Sequence, residues 1–220
     1  MNYVLVSVEG QTEETFVQDV LRKHLWNYNV DLSPVVISTS RAKRGTKNKG
    51  GLRDYFKARR EIEILLRNTN AVAVTTLYDL YGLPTNFPGL NTFPAGGSGT
   101  SKAKHLEKAF QDDIGSSRFY PHLQVHEFES FLFVEPSRTA ALFPENDLTK
   151  EIQKIREKFH TPEDINDNPH TAPSKRILEL YPNYDKPLYG TLAVLEVGLD
   201  LIRAECPHFN SWLTWLEGLG

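Results

Sequence analysis

The stretch that decides the fold is Tyr3 to Leu25, YVLVSVEGQTEETFVQDVLRKHL. Its first part, Tyr3 to Val8, is short, apolar and rich in β-branched residues, and a Glu-Gly pair closes it, which predicts a buried strand. Thr12 is a good N-cap for a following helix, and Glu13 and Glu14 stand in its first turn, where the helix dipole favours acids. A strand, a tight turn and a helix are the usual opening of an α/β domain.

The rest of the chain continues this alternation and then becomes helical. Apolar runs predict further strands at residues 34–39, 71–77 and 122–125, and helical spacing predicts helices at 52–67 and 102–114. Residues 82–101 hold three prolines and five glycines, which indicates a long irregular loop of a kind that is often functional. We therefore predict an α/β domain at residues 1–135, with a mostly parallel sheet flanked by helices. A helical C-terminal part at 136–220 packs on it, with helices at 147–159, 174–180, 188–205 and 209–216.

Composition excludes several classes of protein. The 220 residues are 40% hydrophobic and 24% charged, which is typical of a globular chain. No apolar run approaches the ~18 residues of a membrane-spanning helix, and the first strand has no basic segment before it of the kind that begins a signal peptide. Cys206 is the only cysteine, so an internal disulfide and a cysteine-based zinc site are excluded. We expect a cytoplasmic protein without membrane contact.

Basic residues are concentrated in one short window. Residues 41–60 contain nine bases and a single acid, whereas the whole chain has a net charge of −3. A basic segment on an acidic body is typical of an element that binds polyanions, although a solvated loop would have the same composition. The candidate nucleic-acid-binding residues are Arg41, Lys43, Arg44, Lys47, Lys49 and Arg53.

Carboxylates follow the predicted core strands. Glu9 comes directly after the first strand, Asp79 ends the strand that begins at residue 71, and Glu127 and Glu129 follow the strand at 122–125. The carboxyl ends of parallel strands form one edge of a sheet, where α/β proteins place their sites. Carboxylates gathered there repel one another unless a cation joins them, and Mg²⁺ prefers oxygen ligands. We predict that Glu9 and Asp79 bind Mg²⁺ or Mn²⁺, with Glu127 and Glu129 as further ligands, and we leave open that one of the last two simply faces solvent.

Other motifs give weaker signals. Glu13 and Glu14 are explained as first-turn acids of the helix rather than as ligands. His126 adjoins Glu127, and we leave open a proton shuttle, a substrate contact and a structural histidine. Residues 96–102 differ from a P-loop, because two residues separate the last glycine from Lys102. A zinc hydrolase finds no support, because no HxH or HExxH spacing occurs among the other histidines, which are His24, His105, His122, His160, His170 and His208.

An ordered set of motifs resembles the bacterial Toprim-like proteins of domain-of-unknown-function family 4276. The resemblance spans nearly the whole chain, and the set as a whole is more specific than any one of its members. The motifs are Glu9 to Glu13 (EGQTE), Asp79 to Pro84 (DLYGLP), His126 to Phe133 (HEFESFLF), Tyr184 to Pro187 (YDKP) and Ile202 to Phe209 (IRAECPHF).

The resemblance implies a Toprim-like, Rossmann-like fold with a metal-binding acidic site. The wider Toprim fold uses a glutamate after the first strand, matched here by Glu9, and a DxD pair after a later strand. Asp79 matches the leading acid of that pair, but Tyr81 stands where the second acid would be, so Glu127 or Glu129 would have to replace it. The resemblance also implies a role in bacterial phage defence or in mobile elements, beside an ATPase partner.

The leading hypothesis is a Mg²⁺-dependent nuclease or a related phosphoryl-transfer enzyme that acts on DNA or RNA. Lys102, Lys104 and Lys175 are candidates for contacting the scissile phosphate. Tyr55 and Phe56 are candidates for stacking on bases, although Phe56 is predicted to face the core. One alternative is a non-catalytic adaptor of an ATPase, which would dock through an aromatic patch near Trp212. Packing of this tryptophan in the core is the favoured interpretation of that residue. A small-molecule phosphoesterase is a further alternative with the same metal chemistry.

Overall fold

The central element is a five-stranded sheet in which every strand pair is parallel. The computed structural model describes residues 1–37, 52–94, 96–143, 147–166 and 170–220. The strands follow the order β2-β1-β3-β4, and β5 pairs with the carboxyl end of β3. Their bounds are Asn2–Val8 for β1, Val30–Val36 for β2, Ala71–Asp79 for β3, Phe119–Tyr120 for β4 and Leu123–Gln124 for β5.

The register of the sheet brings the acidic strand ends together. Val8 of β1 pairs with Leu77 of β3, and Asp79 at the end of β3 pairs with Gln124 of β5. The residues that follow β1, β3 and β5 therefore leave the sheet at the same edge. The predicted mostly parallel α/β fold is confirmed.

Helices cover both faces of the sheet and form the C-terminal part. The first helix is interrupted, because a π-helical turn at Val17–Leu21 separates α1 from α2. In chain order the helices are α1 (Gln11–Phe16), α2 (Arg22–Leu25), α3 (Tyr55–Leu65), α4 (Gly99–Ile114), α5 (Pro136–Ala140), α6 (Thr149–Arg156), α7 (Pro173–Leu180), α8 (Thr191–Val197), α9 (Leu199–Glu205) and α10 (Pro207–Glu217).

Alternation along β1 explains the two main cores. Val4, Val6 and Val8 belong to one apolar cluster, together with residues of α1, α2 and the C-terminal helices α8 to α10. Leu5 belongs to a second cluster, with residues of α3 and α4 on the other face of the sheet. The first cluster combines residues from both sides of position 135, and the division of the chain there stays a prediction.

Several boundaries differ from the sequence prediction. The second strand begins at Val30 rather than at Pro34, and the edge position of β2 accommodates the proline inside it. The helix predicted at 188–205 is broken at Gly198, whose φ of +87° is a left-handed value that favours glycine. Tyr55 occupies the core position that was predicted for Phe56, which is 66% exposed instead. No helix in the described part of the chain is long and apolar enough to cross a membrane.

Candidate functional site

Acidic side chains from three segments meet at the carboxyl edge of the sheet. Backbone N–H groups of neighbouring strands and turns hold the first two of them. Glu9 Oε1 accepts from the N–H of Asp79 at 2.9 Å, and its Oε2 accepts from the N–H of Leu52 at 3.3 Å. Asp79 Oδ1 accepts from the N–H of Phe128 at 2.9 Å. These bonds orient the carboxylates before any ligand arrives.

The segment after β5 supplies two more acids. Glu127 precedes a 3₁₀-helical turn at Phe128–Phe133, and Glu127 Oε2 accepts from the N–H of Ser174 at the start of α7 at 3.0 Å. Glu129 lies within that turn and is only 1% exposed. The predicted acids therefore lie at one edge, and we call Glu9, Glu13, Asp79, Glu127 and Glu129 the carboxylate cluster.

Lys186 is the cation of the carboxylate cluster. Its Nζ lies 3.3 Å from Glu13 Oε1, 3.3 Å from Asp79 Oδ2 and 3.2 Å from Glu129 Oε2. The lysine begins a π-helical turn at Lys186–Gly190, which a hydrogen bond from the N–H of Leu188 to the Asp185 side chain closes. One ammonium thus serves three carboxylates from separate segments.

Lys186 balances only part of the negative charge of the cluster, and the buried acids keep their protons to a higher pH than usual. Burial, together with repulsion from Asp79 and Glu13, raises the pKa of Glu9 to about 8. Burial likewise raises the pKa of Glu13, and it raises that of Glu129 to about 7 against the opposing effect of Lys186. Burial alone would lower the pKa of Lys186, but the surrounding carboxylates raise it well above its ordinary value. The lysine therefore stays charged.

The donor set suits a hard divalent cation. The cluster offers carboxylate oxygens, and Glu129 Oε1 is buried without a hydrogen-bond partner among the described residues. An unpaired buried carboxylate oxygen is costly, and Mg²⁺ takes such oxygens as ligands. The oxygen donors thus fit the predicted ion by their chemistry, although the ammonium of Lys186 lies between three of the acids.

A cavity of about 500 Å³ is lined by chain neighbours of two of the cluster acids, but by none of the five acids themselves. Its lining includes Leu80 and His126, the chain neighbours of Asp79 and Glu127, and the N-terminus of α4 with Lys102. Ser98 caps that helix by accepting from the N–H of Ser101 at 3.1 Å. The positive end of a 16-residue helix and a lysine therefore face the same cavity, which Asp164 also lines.

His126 is held rigidly in this cavity as a neutral ring. Its φ of +65° is unusual for a residue with a side chain. A Cβ on Gly99 would lie 2.7 Å from the His126 ring, so only glycine permits this close packing. Burial, assisted by Lys102, lowers the pKa of His126 to about 4. The ring is uncharged near neutral pH, which argues against the proton-shuttle interpretation.

The other sequence candidates lie in different places. Lys104 lines a separate cavity beside Glu107 and His208. Lys175 is exposed on α7, next to the residue that contacts Glu127. Arg53 is exposed before α3. The remaining predicted nucleic-acid contacts, which are Arg41, Lys43, Arg44, Lys47 and Lys49, lie outside the described residues.

One interpretation from the sequence needs correction, and one site residue was missed. Glu13 is not simply a first-turn acid, because it is buried and paired with Lys186. Lys186 was missed as a site residue, although it lies in one of the quoted motifs. Trp212 is 1% exposed and donates from its Nε1 to Thr75 Oγ1 at 2.9 Å, which confirms the core position favoured for it from the sequence.

Fold and site together define an α/β protein with a carboxylate cluster at the carboxyl edge of a parallel sheet. The chain belongs to the DUF4276 family, a domain of unknown function, whose sequence profile matches residues 8–217. No curated protein and no solved structure shows a significant match to the chain.

Proposed function

We propose that this protein is a Mg²⁺-dependent nuclease or a related phosphoryl-transfer enzyme of the Toprim-like superfamily. The observation that supports this most directly is the carboxylate cluster, in which one lysine contacts three of the five acids at the edge of the sheet where α/β enzymes bind their substrates. A divalent cation would displace the protons that burial favours on Glu9, Glu13 and Glu129 and would take the carboxylate oxygens as ligands.

The four predicted ligands, Glu9, Asp79, Glu127 and Glu129, would hold the ion, and Glu13 adds a fifth carboxylate. A bound Mg²⁺ or Mn²⁺ would lower the pKa of a water molecule and stabilise the leaving oxygen of a phosphodiester. Tyr81 does not replace the missing acid of a DxD pair, because its phenol has no negative charge at neutral pH. In the proposal, Glu129 in the Phe128–Phe133 turn and Glu127 just before it take that role.

The protein's own groups position the substrate in the proposal. The N-terminus of α4 and Lys102 bind a phosphate in the 500 Å³ cavity, where both face the same space. Lys186 neutralises part of the cluster, so an anionic phosphodiester is repelled less on approach. His126 remains neutral and offers a rigid wall rather than a charge.

Nucleic acid is the proposed substrate because of the groups beside the cluster. The N–H of Leu52, which lies within the basic window at residues 41–60, donates to Glu9 at the site. Arg53 and Phe56 follow it directly and are exposed. Basic side chains contact phosphates, and an exposed aromatic ring stacks on bases. Affinity should therefore depend strongly on salt and weakly on sequence.

A cleavage assay tests the proposal. Labelled single-stranded and duplex DNA and RNA are incubated with wild type, Asp79→Asn and the control Asp112→Asn, in Mg²⁺, in Mn²⁺ and in EDTA. We expect cleavage that needs the metal and that falls more than 100-fold in Asp79→Asn. Asp112 lies on the surface of α4, so its variant should cleave like wild type. Equal cleavage by both variants contradicts the proposed site.

One observation favours a partner protein, as expected for a chain that acts beside an ATPase. Leu188, Leu192 and Leu195 are exposed at helical spacing on the turn and helix that follow Lys186. An apolar stripe of this kind is typical of a docking surface. In the adaptor alternative this stripe binds the ATPase and the cluster has no catalytic role, so Leu192→Ser would abolish complex formation while Mg²⁺ would have no effect on any activity.

A small-molecule phosphoesterase is a second enzymatic candidate, because the cavity has the volume of a pocket for a small ligand. About 500 Å³ is within the range of pockets that bury a small ligand. Hydrolysis of mononucleotides or of a chromogenic phosphodiester, without cleavage of DNA or RNA, would favour it. A cytoplasmic location and a role in bacterial defence remain part of the proposal.

A further inference from the structure

A second cluster of ligating side chains lies away from the carboxylate cluster and shares no residue with it. His122 lies just before β5, His208 in the first turn of α10, and Glu107 on α4. Glu107 Oε1 lies 2.9 Å from His208 Nε2 and 3.6 Å from His122 Nδ1. One ligand atom of each residue lies within 4.8 Å of those of the other two.

These separations match those of ligands around one metal ion. Zn²⁺ binds histidine nitrogen and carboxylate oxygen at about 2.0–2.1 Å, so two ligands of a tetrahedral site are about 3.4 Å apart. The two distances to Glu107 lie on either side of that value. Only a small approach of the two histidines toward each other is needed to complete three corners of a tetrahedron.

The three side chains are held in place from outside the cluster. The His122 ring stacks on Trp212 with centroids 4.5 Å apart and planes 7° apart. The backbone N–H of His208 donates to Glu163 Oε2 at 2.9 Å, and the N–H of Leu123 donates to Glu107 Oε1 at 2.8 Å. Such supporting contacts fix ligand orientation in metal sites.

Both rings also have nitrogens that the surrounding protein does not satisfy. His122 is 1% exposed and His208 is 5% exposed. His122 Nε2 and His208 Nδ1 are buried without a hydrogen-bond partner among the described residues. Glu107 Oε1 already accepts hydrogen bonds from Leu123 and His208, so this one carboxylate does not satisfy the hydrogen-bonding groups of both buried imidazoles. A cation at this point would be bound by His122 Nδ1 and His208 Nε2, the nitrogens that face Glu107, and the two unsatisfied nitrogens on the far side of the rings would carry the ring protons.

The cluster opens on a cavity of about 260 Å³, which includes the ligating residues and Lys104, Lys108 and Ser211 in its lining. We infer that Glu107, His122 and His208 form a transition-metal site that takes Zn²⁺. Two nitrogens and one oxygen are a ligand set of borderline softness, which Mg²⁺ does not favour. The fourth position faces the cavity, where the two lysines favour an anionic ligand. The inference does not rest on the proposed nuclease function.

Binding of Co²⁺, as a visible substitute for Zn²⁺, tests the inference. Untagged protein is stripped with a chelator and titrated with Co²⁺, and Zn²⁺ is then added to displace it. We expect one equivalent of Co²⁺ with the absorption of a four- or five-coordinate ion, unaffected by millimolar Mg²⁺. His208→Asn should weaken binding at least 100-fold. The control His105→Asn, on α4 but outside the cluster, should leave it within twofold.

Two further variants separate the possible failures. Glu107→Gln keeps the size of the side chain, so it serves if His208→Asn does not fold, and it should also abolish the tight site. Asp79→Asn should leave Co²⁺ binding unchanged while it abolishes Mg²⁺-dependent cleavage. Absence of the absorption in wild type overturns the inference. Binding that Asp79→Asn removes and Glu107→Gln retains also overturns it, because the ion would then occupy the carboxylate cluster.

Discussion

Lys186 Nζ lies 3.3 Å from Asp79 Oδ2, although 107 residues separate them in the chain. The same ammonium contacts Glu13 and Glu129, so it is the link between the C-terminal part and the acidic edge of the sheet. Lys186 therefore holds together a set of like charges that would otherwise repel.

We expect Lys186→Met to destabilise the metal-free protein. Removing one partner of a buried charge group costs about 3–5 kcal/mol, and since Lys186 is 34% exposed we expect about 2 kcal/mol here. Mg²⁺ should restore more stability in the variant than in wild type, because the ion takes over the neutralising role. Thermal melts with and without Mg²⁺ measure this. Lys175→Met is the matched control, and an equal loss in both variants would contradict the role of Lys186.

A matched pair of acids tests the correction at the start of α1. Glu13→Gln should reduce the rise in melting temperature that Mg²⁺ causes, whereas Glu14→Gln should not. Only Glu13 lies in the cluster, although both stand in the first turn. A ligand at 100 times its dissociation constant adds about 2.7 kcal/mol, which a melt resolves easily. If both variants respond to Mg²⁺ identically, Glu13 is only a first-turn acid of the helix and does not take part in metal binding.

The stability of the metal-free protein should fall as the pH rises from about 5 to about 8. The pKa of Glu9 is about 8 and that of Glu129 about 7 in the folded protein, whereas both groups ionise near 4.5 when unfolded. In this window the folded state binds more protons than the unfolded state, so increasing pH favours unfolding. Melts across this range measure the slope. Glu9→Gln combined with Glu129→Gln should flatten it, and an unchanged slope would exclude these two groups as its cause.

Phe56→Ala should weaken binding of single-stranded nucleic acid with little effect on folding. The ring is 66% exposed, and base stacking is worth about 1–3 kcal/mol, or about 5- to 150-fold in affinity. Ile64→Ala is the control, since that side chain is exposed on the same helix without an aromatic ring. Fluorescence anisotropy with a labelled oligonucleotide measures both. If the two variants bind equally well, base stacking by Phe56 is excluded.

The prediction succeeded where local patterns are strong. The buried strands β1 and β3 were placed within two residues at every boundary, because apolar, β-branched runs closed by acids are local signals. The second strand was shifted, because Val30 to Ser33 alternates in character and edge strands have no continuous apolar run. Phe56 was assigned to the core because helical spacing alone does not distinguish it from its neighbour Tyr55.

The sequence by itself determined the parallel α/β fold and the presence of acids at the carboxyl edge of the sheet. Both follow from patterns within single elements, since the periodicity of apolar residues and the acid at the end of a strand are visible in short stretches of sequence. Only the tertiary structure decided that Lys186 and Glu13 join those acids, and that His122 and His208 meet at Glu107. These contacts form when the C-terminal helices pack on the sheet, and packing between distant segments leaves no periodic signal in the chain.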